Sequence, residues 1–151
     1  MWLVQICALL LTPLLLCTTP VDGSSPSENK YVHVEIALQD TTIAAGTDGA
    51  ILLAFSPVDG IHINTDPPVE FAIEKNSPIT LTGDPDITAD KETGFLSTSS
   101  PIRQQFRVST EATPGTHFVK GTIVYYFCSD TQGWCTKFKQ SVTLKLIVAN
   151  R

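Results

Sequence analysis

The hydrophobic and polar positions of this chain alternate with a period of two, the period of strands. Tyr31-Val-His-Val-Glu-Ile-Ala-Leu38 places Val32, Val34, Ile36 and Leu38 on one face. Ala50-Ile-Leu-Leu-Ala-Phe55 is a continuous apolar run, short enough for a strand buried on both sides, and Ser56-Pro-Val-Asp-Gly60 then supplies turn chemistry. Ile61 to Asn64, Val69 to Glu74 and Ile79 to Thr82 are short strand candidates, separated by Pro67-Pro68 and Asn76-Ser-Pro78. Residues 83–101 carry Gly, Pro, Asp, Thr and Ser with little periodicity and read as a long loop.

The C-terminal third gives the clearest pattern. Arg103 to Ser109 alternates around Phe106 and Val108, and Pro114-Gly115 turns the chain into Thr116 to Cys128, rich in Val, Ile, Tyr and Phe. In the last strand Phe138, Val142, Leu144, Leu146 and Val148 share one face, while Lys137, Lys139, Ser141, Thr143 and Lys145 share the other. Beyond the first residues no segment has helical periodicity, and no repeat occurs. An all-β, immunoglobulin-like sandwich of about seven or more strands is expected over residues 31–149. The cysteine pair that usually bridges the two sheets of such a sandwich is absent, because Cys128 and Cys135 lie close in sequence.

The N-terminus reads as an address. Residues 3–17, LVQICALLLTPLLLC, form an apolar run broken by Pro13, and a Ser/Pro/Gly-rich stretch follows. This is the pattern of a secretory signal peptide over residues 1–23, with a linker over 24–30, although Met1-Trp2 lacks a basic residue; an uncleaved anchor is the rival reading. Cleavage after Gly23 leaves 128 of the 151 residues, two of the four cysteines and no expected membrane span. The location expected is the periplasm or the outside of a bacterial cell, where a cysteine pair can be oxidised. The absence of any Asn-x-Ser/Thr site agrees with a bacterial envelope.

Composition narrows the function classes. Fifteen acidic against ten basic residues argues against a nucleic-acid partner, whose phosphates need a basic stripe. There is no Gly-x-Ser-x-Gly and no His-Glu-x-x-His, and Asp84, Asp86 and Asp90 do not have EF-hand spacing. No cofactor is expected. His33, His62 and His117 match no zinc spacing with the two cysteines, so no metal site is assigned, and Cu(I) held by both thiolates and one His is a minor alternative.

The six residues between Cys128 and Cys135 include Asp130 and Gly133, which suit a hairpin tip. Facing hairpin positions bring Cα atoms to about 5.5 Å, within disulfide range. A structural staple is one reading, worth only about 2–3 kcal/mol for so short a loop. A pair open to a partner's thiolate is the other. Lys137 shares a face with Cys135 and would favour its thiolate, whereas Asp130 would oppose it if close. Trp134 is expected at the exposed tip, as a docking aromatic or folded over the disulfide. His62 is a possible modulator; of Tyr125 and Tyr126, which point to opposite faces, one at most lies beside the cysteines.

Gly60-Ile-His-Ile-Asn64 with Pro67-Pro68, then Lys120-Gly-Thr-Ile-Val-Tyr-Tyr-Phe-Cys128, a short loop and Cys135, resemble the N-terminal periplasmic domain of the thiol:disulfide interchange protein DsbD family. The resemblance covers roughly residues 31–149 and implies an immunoglobulin-like fold with one redox-active pair. It further implies electron transfer from a membrane-embedded thiol reductase to periplasmic thioredoxin-like proteins. The family's partner-joining cysteine maps onto Cys135, with Cys128 resolving the mixed disulfide. The family's cap loop maps near Asp90-Lys-Glu-Thr-Gly-Phe95, with Phe95 as the residue covering the sulfurs. Two features depart from the family: six residues rather than four or five separate the cysteines, and Thr136-Lys137 stands where Pro-Pro is common. Without the membrane and thioredoxin-like domains of full-length members, a free-standing relative is expected, or one that has kept the fold and lost electron transfer.

Overall fold

The computed structural model describes residues 29–150, so the expected signal peptide and all but the end of the linker lie outside the described residues. Nine strands occur among these residues, and no helix: β1 (Val32–Leu38), β2 (Thr42–Ala44), β3 (Asp48–Pro57), β4 (Ile61–Ile63), β5 (Glu70–Ile73), β6 (Ile79–Asp86), β7 (Ile102–Val108), β8 (Gly115–Ser129) and β9 (Trp134–Ala149). One sheet has the order β1-β3-β7-β6. The other runs β2-β9-β8-β4, with β5 also pairing β8.

The two sheets share one core, to which Val34, Leu53, Phe55 and Phe106 come from the first and Val119, Tyr125, Phe127 and Leu146 from the second. The Phe55 and Tyr125 rings meet edge to face at 5.3 Å across the layers. Burial alternates along β1, β7, β8 and the C-terminal half of β9, as the period-two pattern requires.

Two expectations need correction. The apolar run in β3 is not buried on both sides. Ile51, Leu53 and Phe55 face the core, while Leu52 and Ala54 on the other face stay half-exposed because no third layer covers them among the described residues. The region read as a loop from residue 83 is strand as far as Asp86. There the β6–β7 register shifts between Thr82 and Asp86, and the buried Gln104 amide donates to the carbonyls of Thr82 and Gly83. Polar side chains thus satisfy a bulge that hydrophobic periodicity does not reveal. Just before β1, Asn29 is buried and its Nδ2 donates to the Tyr125 hydroxyl at 2.9 Å. Burial raises the Tyr125 pKa, and the bond from Asn29 partly opposes that rise.

β8 and β9 form a long antiparallel ribbon paired from Gly115↔Val148 to Ser129↔Trp134. Gly121 on its inner face is required by a close approach: a Cβ there would stand 2.7 Å from the Ala72 carbonyl oxygen of β5. The ribbon ends in a four-residue tip, Asp130 to Gly133, closed by the Gly133 N–H donating to the Ser129 carbonyl at 3.0 Å. Gly133 takes φ of +65°, a conformation that favours glycine.

Candidate functional site

Cys128 and Cys135 are direct partners in the β8–β9 register and form a disulfide with Cα atoms 4.0 Å apart. That close spacing marks a non-hydrogen-bonded pair, whose side chains lie together on one face of the sheet. Alternation puts this pair on the outer face, turned away from the core that Phe127 and Tyr125 fill. The two sulfurs are unequal. Cys128 is 7% exposed, covered by the neighbouring β4 strand, whereas Cys135 is exposed.

β4 continues the row. His62 pairs with Cys128 in register and therefore projects from the same face. Its side chain is 16% exposed, and its Nδ1 lies 2.8 Å from Oδ1 of Asp130 at the hairpin tip. The contact is a close approach rather than an aligned hydrogen bond. Asp130 thus engages His62 instead of facing the sulfurs. Asn64, two residues on and on the same face, places Oδ1 3.4 Å from Cys128 Sγ. A disulfide sulfur carries no proton, so this is a polar contact and not a hydrogen bond.

The segment Asp90 to Phe95 forms a tight loop riding the free edge of β4. Ala89 and Leu96 bridge at its base, Leu96 N–H donates to the Ile63 carbonyl at 2.8 Å, and Thr65 Oγ1 donates to the Gly94 carbonyl at 2.8 Å. Asp90 organises it from within. Its carboxylate accepts from the Thr93 N–H, the Thr93 hydroxyl and the Glu92 N–H, and these bonds hold its pKa below the usual carboxylate value. Phe95 stacks on His62 with ring centroids 3.5 Å apart and an interplanar angle of 18°. The outer face thus carries Cys135, Cys128, His62 and Phe95 in sequence across neighbouring elements. A groove of about 560 Å³ lies beside His62 and Phe95, and Asp90, Glu92 and Asp130 contribute its acidic lining.

The structure gathers most of the residues singled out from sequence. Phe95 stacks on His62 rather than lying among the core rings. Tyr126 is on the cysteine face, two residues before Cys128, while Tyr125 is in the core. Lys137 shares the face of Cys135, and its Nζ lies over the Tyr126 ring at 5.5 Å. Trp134 departs from expectation. It is half-buried, packing on Tyr31 at 5.2 Å and Phe127 at 5.9 Å, because strand alternation turns it to the opposite side from Cys135. It therefore neither projects from the tip nor covers the disulfide.

Asn64 was the residue sequence reasoning missed at this site. Its signal was the alternation of His-Ile-Asn, which puts positions 62 and 64 on one face. Among the described residues no group of three or more His, Cys, Asp or Glu side chains is arranged to hold a metal ion, and no helix is long and apolar enough to cross a membrane. Comparison with protein-family models and with curated proteins finds no match to the chain.

Proposed function

We propose that this chain is a thiol–disulfide exchange domain related to the N-terminal domain of the DsbD family, with an immunoglobulin-like fold, working in the periplasm. In this reading Cys128–Cys135 relays electrons from a membrane thiol reductase to thioredoxin-like proteins. The observation that carries it is the asymmetry of the pair: one exposed sulfur and one buried sulfur joined on the outer face of a sheet. Exchange needs one sulfur open to in-line attack and a second that leaves and later returns.

The steps balance with the reductant as the co-reactant. A partner thiolate attacks Cys135 Sγ, the Cys128–Cys135 bond breaks, and Cys128 leaves as a thiolate that takes up a proton beside the Asn64 amide oxygen. The partner's second thiolate attacks its own sulfur in the mixed disulfide and releases Cys135. The partner dithiol is thereby oxidised and the pair reduced by two electrons. The reverse sequence passes the electrons on, with Cys128 resolving the second mixed disulfide.

Phe95 and His62 act here as the cover on the buried side, and Lys137, with its Nζ over the Tyr126 ring, puts a positive charge on the face that carries Cys135. A purely structural bond is the competing reading. It is weakened by placement, since β8 and β9 are already hydrogen-bonded on both sides of the pair and the loop it closes is short. A redox titration separates the two. An exchange site has a potential in the range of redox proteins, whereas a structural bond resists reduction below about −300 mV.

A further inference from the structure

The outward positions of the β8–β9 ribbon hold Lys120, Lys137, Lys139 and Lys145, and no acid. The chain as a whole carries a formal charge of −5, so this face runs against the charge of the rest of the molecule. Lys137 lies next to Cys135, while Lys145 pairs in register with Phe118, whose ring is 65% exposed. Protection of a sheet edge accounts for lysines on β9; Lys120 sits inside the sheet on β8, between Thr143 of β9 and Glu74, which follows β5. On the side of β8 away from β9 the charge reverses: Asp130, Asp90 and Glu92 line the groove beside His62, Glu70 on β5 pairs with Val124, and Glu74, which follows β5, donates its N–H to the Lys120 carbonyl at 3.0 Å.

From this polarity we infer that the lysine-bearing face of the ribbon is the docking track for a folded protein partner with an acidic surface beside its reactive cysteine. The inference rests on the exchange reading above. From Cys135 to Lys145 the track spans ten residue steps of β9, about 33 Å at the rise of a strand. That matches the diameter of a domain of about 100 residues, not a small thiol such as glutathione. The partner lies along β9 and away from the acidic groove, which repels the same surface. Phe118 supplies an apolar anchor at the far end, and the lysines steer the encounter.

The test uses the Cys128→Ser protein, whose Cys135 thiol is free, and two twelve-residue peptides with one cysteine each, activated as the pyridyl disulfide. One peptide is Glu-rich and the other Lys-rich. Attack by the Cys135 thiolate forms the mixed disulfide and releases pyridinethione, followed by absorbance. The acidic peptide is expected to react about tenfold faster at low salt, with the preference fading near 0.5 M salt. K120E/K145E, remote from the sulfurs, should cut the preference at least about threefold, and K120Q/K145Q should fall between. Neither should change the rate with neutral dipyridyl disulfide.

Equal rates for the two peptides, or a preference indifferent to K120E/K145E, overturns the docking track. If wild-type protein sediments with vesicles containing phosphatidylglycerol and K120E/K145E does not, the face belongs to a lipid surface and the inference is equally overturned. Failure of the exchange reading is distinguishable: dithiothreitol would then leave the wild-type disulfide intact whatever the peptides do.

Discussion

The two faces of the β8–β9 ribbon come from the same two strands in strict alternation, yet they obey different rules. The inner face holds Val119, Ile123, Tyr125, Phe127, Val142, Leu144 and Leu146, packed against the other sheet. The outer face holds the disulfide, Tyr126, the lysines and the exposed Phe118. Inner positions are bound by volume, because each touches many neighbours and any void or clash is felt throughout the core. Outer positions are bound only by access and charge. Chemistry can therefore sit at Cys128 and Cys135 without disturbing the packing, one residue away from side chains on which the fold depends.

The sharpest way to break this comparison is to truncate one residue on each side. Tyr125→Ala should cost about 3–5 kcal/mol in urea unfolding, from the cavity it opens and the stranded Asn29 amide. Cys128→Ser with Cys135→Ser should cost at most about 2–3 kcal/mol while abolishing exchange altogether. A double cysteine variant as destabilised as Tyr125→Ala would mean that the bond is structural. Gly121→Ala comes next, at about 1–3 kcal/mol, because the new Cβ meets the Ala72 carbonyl and the Phe71 ring.

Access can be probed without changing the fold. Phe95→Ala, on the outer face, should move stability by no more than about 1 kcal/mol but raise the rate of reduction by dithiothreitol several-fold. An unchanged rate would show that Phe95 does not shield the pair. Cys128→Ser should accumulate a mixed disulfide through Cys135 with a thioredoxin-like partner, visible on a non-reducing gel, and Cys135→Ser should not.

The smallest expected effect concerns acid. The bonds from Thr93 and Glu92 depress the Asp90 pKa, so its contribution to the loop is present above the ordinary carboxylate value of 3.8 and is lost as pH falls through the depressed value. Amide exchange at Thr93 and Phe95 should accelerate only in that acidic window, leaving amides in β8 protected. Acceleration already at neutral pH would place the stability of the loop elsewhere.

Much of the fold was legible because a half-buried strand writes its orientation into every second residue. That is why the faces of β1, β7 and β9 and the opposed directions of Tyr125 and Tyr126 could be read directly. β2 escaped, since Thr42–Ala44 is too short to show a period and exists through its parallel pairing with β9. Trp134 was misplaced for a different reason: its neighbourhood looked like a turn, but Ser129 and Trp134 still pair, so strand alternation carries it inward.

The sequence by itself determined most of the strands, which side of β1, β7 and β9 meets the core, and that Cys128 and Cys135 can face one another across a hairpin. These are local properties, set by alternation and by turn residues such as Gly133. Only the tertiary structure decided that Cys128 is covered and Cys135 open, that His62 stands beside the disulfide with Asp130 on one side and Phe95 stacked on it, and that Asn64 reaches the buried sulfur. Each of those depends on β4 docking along β8 and on the 90–95 loop extending that edge, contacts between segments that no local pattern encodes.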